Sequence, residues 1–172
     1  MKTWIALMRG INVGGKHIVP MKELARLMEA AGFSNVKTYI QSGNVVFQNP
    51  TRPTDEIGRL IERKFGFKPE VFILSTAEFE RAAANNPYKT GVGKAVHFAF
   101  CDKMPESVDY EFLESLKADS EEYKLIENVF YFHAPEGIGR SKLVAKMGKA
   151  FKNVTMTSRN LNTINKLAEM IA

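Results

Sequence analysis

Apolar residues recur along the chain in two periods, and they alternate in an order. Residues 4–8 are a short apolar run ended by Arg9-Gly10, the pattern of a strand. After a glycine-rich loop, Pro20 suits the first turn of a helix whose stripe is Met21, Leu24, Ala25, Leu27, Met28 and Ala31, with Gly32 as the stop. Residues 36–40 and 45–47 read as two strands joined by the turn Gln41-Ser42-Gly43-Asn44. Ile57, Leu60, Ile61 and Phe65 mark a helix ended by Gly66, and residues 71–74 a fourth strand.

The second half repeats this order. Residues 95–101 read as a strand, and Phe112, Leu113 and Leu116 mark a helix. Residues 123–126 and 129–133 form a hairpin around Glu127-Asn128. Leu143, Val144, Met147 and Phe151 mark a second helix, residues 154–156 a short strand, and Leu161, Ile164, Leu167 and Ile171 an extra terminal helix. Strand, helix, strand, strand, helix, strand is the split βαββαβ order of ferredoxin-like units. The expected fold class is therefore α+β, with two ferredoxin-like subdomains at 1–75 and 95–172, the second carrying the C-terminal helix. Residues 76–94 form a helical linker in which Ser75 and Glu78 have capping-box spacing.

Strand parity predicts which faces are buried. Val96, Phe98 and Phe100 share one face and His97, Ala99 and Cys101 the other, while Phe130 and Phe132 oppose Val129, Tyr131 and His133. The phenylalanine faces are expected to meet the helices. The opposite faces, and both faces of residues 4–8, are too apolar for a sheet open to water, so a cover is expected over them: the other subdomain, the terminal helix or a second copy.

Composition narrows the class but not the activity. The chain has 172 residues, 45% of them hydrophobic and 25% charged, with a single cysteine. This excludes collagen, disordered and disulfide-scaffold classes and points to a reducing, cytoplasmic setting. No apolar run is long enough for a membrane span. The net charge of +5 is unevenly spread. Residues 1–75 hold 11 Lys and Arg against 6 Asp and Glu, residues 76–127 hold 6 against 11, and residues 128–172 hold 7 against 2. Two basic segments thus flank an acidic one.

Three donor-rich segments stand out. Residues 10–16 match the GxxxxGK spacing of a phosphate-binding loop, but His17 stands where magnesium chemistry needs Ser or Thr, and Pro20 delays the helix, so a nucleotide triphosphatase is rejected. A plainer anion loop remains: Arg9, Asn12 and Lys16 beside backbone N–H groups at Gly14 and Gly15, against a tight loop that needs glycine only for shape. Arg140, Ser141 and Lys142 open one helix, and Thr157, Ser158, Arg159 and Asn160 open the last. Capping and anion binding both fit these helix starts. His97, Cys101, Tyr131 and His133 suggest zinc or a Cys–His nucleophile, but no short ligand spacing supports it, and core packing explains them better. No metal, cofactor or catalytic residue is assigned.

Residues 7–16 (Leu-Met-Arg-Gly-Ile-Asn-Val-Gly-Gly-Lys) and 39–47 (Tyr-Ile-Gln-Ser-Gly-Asn-Val-Val-Phe) resemble the two signature segments of the bacterial family known as domain of unknown function 1697. Ser141-Lys142-Leu143, and Thr157-Ser158-Arg159-Asn160 with Thr163, are similar to its C-terminal signatures, with Leu161 where a tryptophan often follows. The resemblance implies the fold and a bacterial, cytoplasmic setting, and no activity. The leading functional expectation is a small phosphate-bearing or other anionic ligand held by Arg9, Asn12, Gly14, Gly15, Lys16, Gln41, Ser42 and Asn44, with Arg140, Ser141, Arg159 and Asn160 as further donors. The alternatives are single-stranded nucleic-acid binding along a basic face, and a structural module that forms a homodimer through a sheet face.

Overall fold

The structure is a computed structural model that describes all 172 residues. It contains two four-stranded antiparallel sheets in two compact units, Met1–Arg81 with Leu167–Ala172, and Ala82–Lys166.

In the first unit the elements are β1 (Lys2–Met8), α1 (Met21–Ala30), β2 (Ser34–Tyr39), β3 (Asn44–Asn49), α2 (Glu56–Phe65), β4 (Val71–Ser75) and the start of α3 (Thr76–Ala84). The sheet order β2-β3-β1-β4 places the first strand centrally. Trp4 pairs with Phe47 and Ala6 with Val45, so these four share the helix-facing side, where Leu24 and Met28 of α1 and Ile57 and Ile61 of α2 complete the core. The capping box forms as its spacing predicts: the Ser75 N–H donates to Glu78 Oε2 at 2.8 Å, and the Glu78 N–H donates to Ser75 Oγ at 3.1 Å.

In the second unit the elements are β5 (Val96–Cys101), α4 (Tyr110–Leu116), β6 (Glu122–Ile126), β7 (Val129–His133), α5 (Lys142–Lys146), a 3₁₀ turn (Met147–Ala150), β8 (Met156–Asn160) and α6 (Leu161–Ile171), whose last residues return to the first unit. The order β6-β7-β5-β8 repeats that of the first sheet. The core under α4 and α5 is Ala99, Leu113, Phe130, Phe132, Leu143, Met147, Ala150 and Phe151.

Two expectations are corrected here. The phenylalanines of β5 and β7 lie on opposite faces, because the register pairs Phe98 with Tyr131 and Ala99 with Phe130. Phe130 and Phe132, with Ala99, pack under α4 and α5, while Phe98 and Phe100 lie on the other face with Tyr131. Residues 157–159 also do not open a helix; with Met156 and Asn160 they form β8, paired with β5 so that Arg159 lies opposite Phe98 and Thr157 opposite Phe100, and only Asn160, the last of them, serves as a helix cap. Thr157 and Arg159 are buried while Ser158 between them is exposed, a period of two. The helical period begins only at Leu161.

The expectation of covered sheet faces holds. Ile5, Leu7 and Val46 on the first sheet, and Phe98, Phe100 and Tyr131 on the second, are buried away from the α1/α2 and α4/α5 layers. Within the first unit, Met170 and Ile171 of α6 flank Thr3 and Val46 on that face. Within the second, the Tyr131 hydroxyl donates to the Ala82 carbonyl at 2.6 Å.

Candidate functional site

At one end of the first sheet, residues 9–17 leave β1 and fold back as a miniature hairpin. Gly14 and Gly15 occupy its two tip positions with φ of 59° and 72°, and the Lys16 N–H closes the turn on the Val13 carbonyl at 3.0 Å. Both values lie in the left-handed region that a two-residue hairpin of this hand requires, so glycine is selected here by backbone shape. The Asn12 N–H donates to the His17 carbonyl at 3.0 Å, and the His17 ring stacks on Phe67 with centroids 4.3 Å apart.

Asn12 ties this hairpin to its surroundings. Its Nδ2 donates to the Val19 carbonyl at 3.0 Å and to the Gln41 carbonyl at 2.8 Å, and its Oδ1 accepts the Val19 N–H at 2.7 Å. Through that side chain, residues 9–17 and the turn 41–44 become one assembly. Gly43 completes it. The Met8 N–H donates to the Gly43 carbonyl at 2.9 Å, and a Cβ on Gly43 would lie 2.9 Å from Ile11 Cδ1 and from Met8 Cβ. Asn44 is fully buried and donates through Nδ2 to the Tyr39 carbonyl at 3.1 Å and to Ser42 Oγ at 2.9 Å.

The structure thus brings together Arg9, Asn12, Gly14, Gly15, Lys16, Gln41, Ser42 and Asn44. Arg9, Gly14, Gly15, Lys16, Gln41 and Ser42 are exposed. Beside them α1 begins at Pro20 with no side-chain cap, above a cleft of about 350 Å³ lined by Pro20, Met21, Lys22, Thr38, Ile40 and Gln41. Lys22 and this helix start gave no distinct signal in the sequence, because a proline at the start of a helix is common wherever the helix lies.

The other predicted residues belong to the second unit. Arg140 is exposed before α5, and Ser141 caps that helix by accepting the Val144 N–H at 3.1 Å. With only 5 residues, α5 carries little of the dipole that favours an anion at a longer helix. Arg159 is 7% exposed; its Nη1 donates to Thr157 Oγ1 at 2.8 Å and to the Ser158 carbonyl at 2.9 Å. Burial pushes its pKa down to about 10. Asn160 caps α6, its Oδ1 accepting the Thr163 N–H at 3.0 Å.

The His97, Cys101, Tyr131 and His133 constellation does not form. His97 pairs with Phe132, and His133 with Val96, so the two histidines project from opposite faces. No group of three His, Cys, Asp or Glu side chains is arranged to hold a metal ion. Cys101 is a buried free thiol that burial and the neighbouring Asp102 push up to about 12, far from a nucleophile's range. No helix is long and apolar enough to cross a membrane.

Two tandem ferredoxin-like units, the first bearing a polar hairpin at one sheet end, define an α+β protein whose fold assigns no activity by itself. The chain belongs to the family described as Protein of unknown function (DUF1697), whose model matches residues 1–131. That stretch contains the whole hairpin-and-turn assembly. The conserved bacterial protein SP0830 from Streptococcus pneumoniae has a similar solved structure, with a TM-score of 0.71 and 24% identity over 99% of each chain. At this identity the likeness shows the fold alone. Comparison with the curated proteins gives no match.

Proposed function

We propose that the protein binds a small phosphate-bearing ligand at the first unit's hairpin, with Lys16 and Lys22 supplying charge and the start of α1 supplying N–H donors. The observation that carries this reading is the α1 start itself. A ten-residue helix opens without a side-chain cap onto a cleft, and the first N–H groups of a helix lack intrahelical partners. Such an end favours an anion both by its donors and by the helix dipole. Asn12 serves as the strut that holds the hairpin, and Gln41 as part of the cleft wall. Arg9 adds a guanidinium at the base of the hairpin.

A ligand that binds only the folded state stabilises it by RT ln(1 + [L]/Kd), about 2.7 kcal/mol at a hundredfold excess over Kd. Thermal-shift titrations with inorganic phosphate, sulfate, sugar phosphates and nucleotides test the proposal. At least one phosphate ester is expected to raise the melting temperature. Lys22→Ala and Lys16→Ala, both at exposed positions, should remove that rise and leave the unliganded melting temperature within a degree or so. No shift with any probe, or a shift that both variants retain, refutes it. Binding that tightens with oligonucleotide length and weakens steeply with salt would favour the nucleic-acid alternative instead.

A further inference from the structure

His97 is a polar residue in an apolar place. It is 8% exposed and its ring stacks on Phe132, with centroids 4.9 Å apart and planes 4° from parallel. Its Nδ1 is sealed from solvent and has no hydrogen-bond partner. A buried donor or acceptor left unmatched is destabilising, and a phenylalanine here would avoid that penalty. Burial also lowers the His97 pKa, so the ring is neutral. An orphaned buried N–H is rarer than an orphaned lone pair, which places the proton on Nε2. Nε2 is then a donor, and it is the ring nitrogen left to face a cavity of about 360 Å³ that His97 helps to line.

The rest of that cavity supplies more donors and an apolar wall. Asn160 also lines it. Its Oδ1 already accepts the Thr163 N–H, which fixes the orientation of the amide and leaves Nδ2 as the group to offer. Lys94 contributes an ammonium, while Val92, Ala134 and Ile138 contribute apolar surface. Glu136 is the one acid present; it is exposed, and its Oε2 accepts from Ser120 Oγ at 2.9 Å. The nearby backbone is satisfied, with the Ala134 N–H on the Ala95 carbonyl at 2.8 Å and the Gly137 N–H on the Ala134 carbonyl at 3.0 Å. The unengaged donors are therefore His97 Nε2–H, Asn160 Nδ2–H and Lys94 Nζ–H.

We propose that this cavity in the second unit binds a short aliphatic carboxylate, its oxygens accepting from His97, Asn160 and Lys94 and its hydrocarbon lying against Val92, Ala134 and Ile138. A neutral imidazole donor, an amide donor and one ammonium match a single carboxylate, and a few apolar side chains suit a small branched or linear chain. The site is separate from the phosphate reading of the first unit, so either can fail alone.

The test uses the full chain and isovalerate, with isovaleramide as the uncharged control. Long-range nitrogen–proton NMR of the three imidazoles should show His97 as the Nε2–H tautomer. Isovalerate should move the His97 Nε2 and Asn160 Nδ2 signals saturably, and isovaleramide should bind at least tenfold more weakly. Asn160→Asp keeps a capping oxygen for α6 but replaces the donor by a carboxylate. It should keep the melting temperature and weaken isovalerate binding at least tenfold. His97→Phe keeps the stack on Phe132, should fold at least as stably, and should lose binding. An Nδ1–H tautomer, no saturable shift at tens of millimolar isovalerate, or undiminished binding by either variant overturns the proposal.

Discussion

Replacing Gly43 by alanine tests how tightly the turn 41–44 is fitted to the hairpin. Gly43 has φ of 87°, and an added Cβ would meet Ile11 Cδ1 and Met8 Cβ at 2.9 Å and Ile11 Cγ1 at 3.1 Å. Met8 and Ile11 are each 1% exposed, so neither has solvent to move into. Withdrawing the turn would break the Met8 N–H bond to the Gly43 carbonyl. The left-handed backbone alone costs a non-glycine residue about 1–2 kcal/mol. Overpacking a filled core adds about 1–3 kcal/mol. Gly43→Ala should therefore lose about 2–5 kcal/mol in all. Gly15→Ala is the internal control, because Gly15 has φ of 72° but nothing within 4 Å of the added Cβ. It should lose only the backbone share, about 1–2 kcal/mol. Urea unfolding of both variants, followed by circular dichroism, measures the difference. Equal losses would mean that the close approach of the two segments carries no energy, and the packing argument would fall.

Other expectations follow from the same geometry. Asn12→Ala strands the Val19 N–H and two carbonyls and should cost about 1–3 kcal/mol by urea unfolding, with phosphate binding lost in parallel; full stability would refute the strut role. Arg159→Ala removes a buried, hydrogen-bonded side chain and should cost about 2–4 kcal/mol, whereas exposed Arg140→Ala should stay within about 0.5 kcal/mol; equal effects would contradict the burial of Arg159. Burial raises the Glu78 pKa, but the Ser75 N–H and the Arg52 guanidinium, 2.7 Å away, outweigh it and hold the carboxyl below its ordinary 4.5. The unfolded chain then binds more protons than the folded one in mildly acid solution, so this stabilisation is present above the unfolded pKa and is lost as pH falls through the folded one. Glu78→Gln should flatten that acid decline in the urea midpoint, and an unchanged pH profile would refute it.

What the sequence determined by itself was the order of elements and the local chemistry of their ends. Apolar period, Pro20 at a helix start, Gly66 at a helix end and the Ser75–Glu78 box are local signals, set within a few residues by backbone sterics and short hydrogen bonds. The repeated βαββαβ order then defined both units. The Arg9–Lys16 and Gln41–Asn44 segments were recognisable as unusual, but that they form one assembly through Asn12 was decided by a hydrogen bond spanning 29 positions. Tertiary structure also decided β8. Thr157 to Asn160 satisfy a strand or a helix start equally well until β5 is there to pair with them, and that pairing turned Arg159 from an exposed donor into a buried one. Strand parity showed that Phe98 and Phe130 each face a side of their own strand. Which sides coincide depends on register, and register is a relation between strands that no single segment carries. The buried, unmatched nitrogen of His97 belongs to the same class: whether a histidine finds a partner is settled by the groups that packing brings around it, here Phe132 across the sheet and an open cavity beside it.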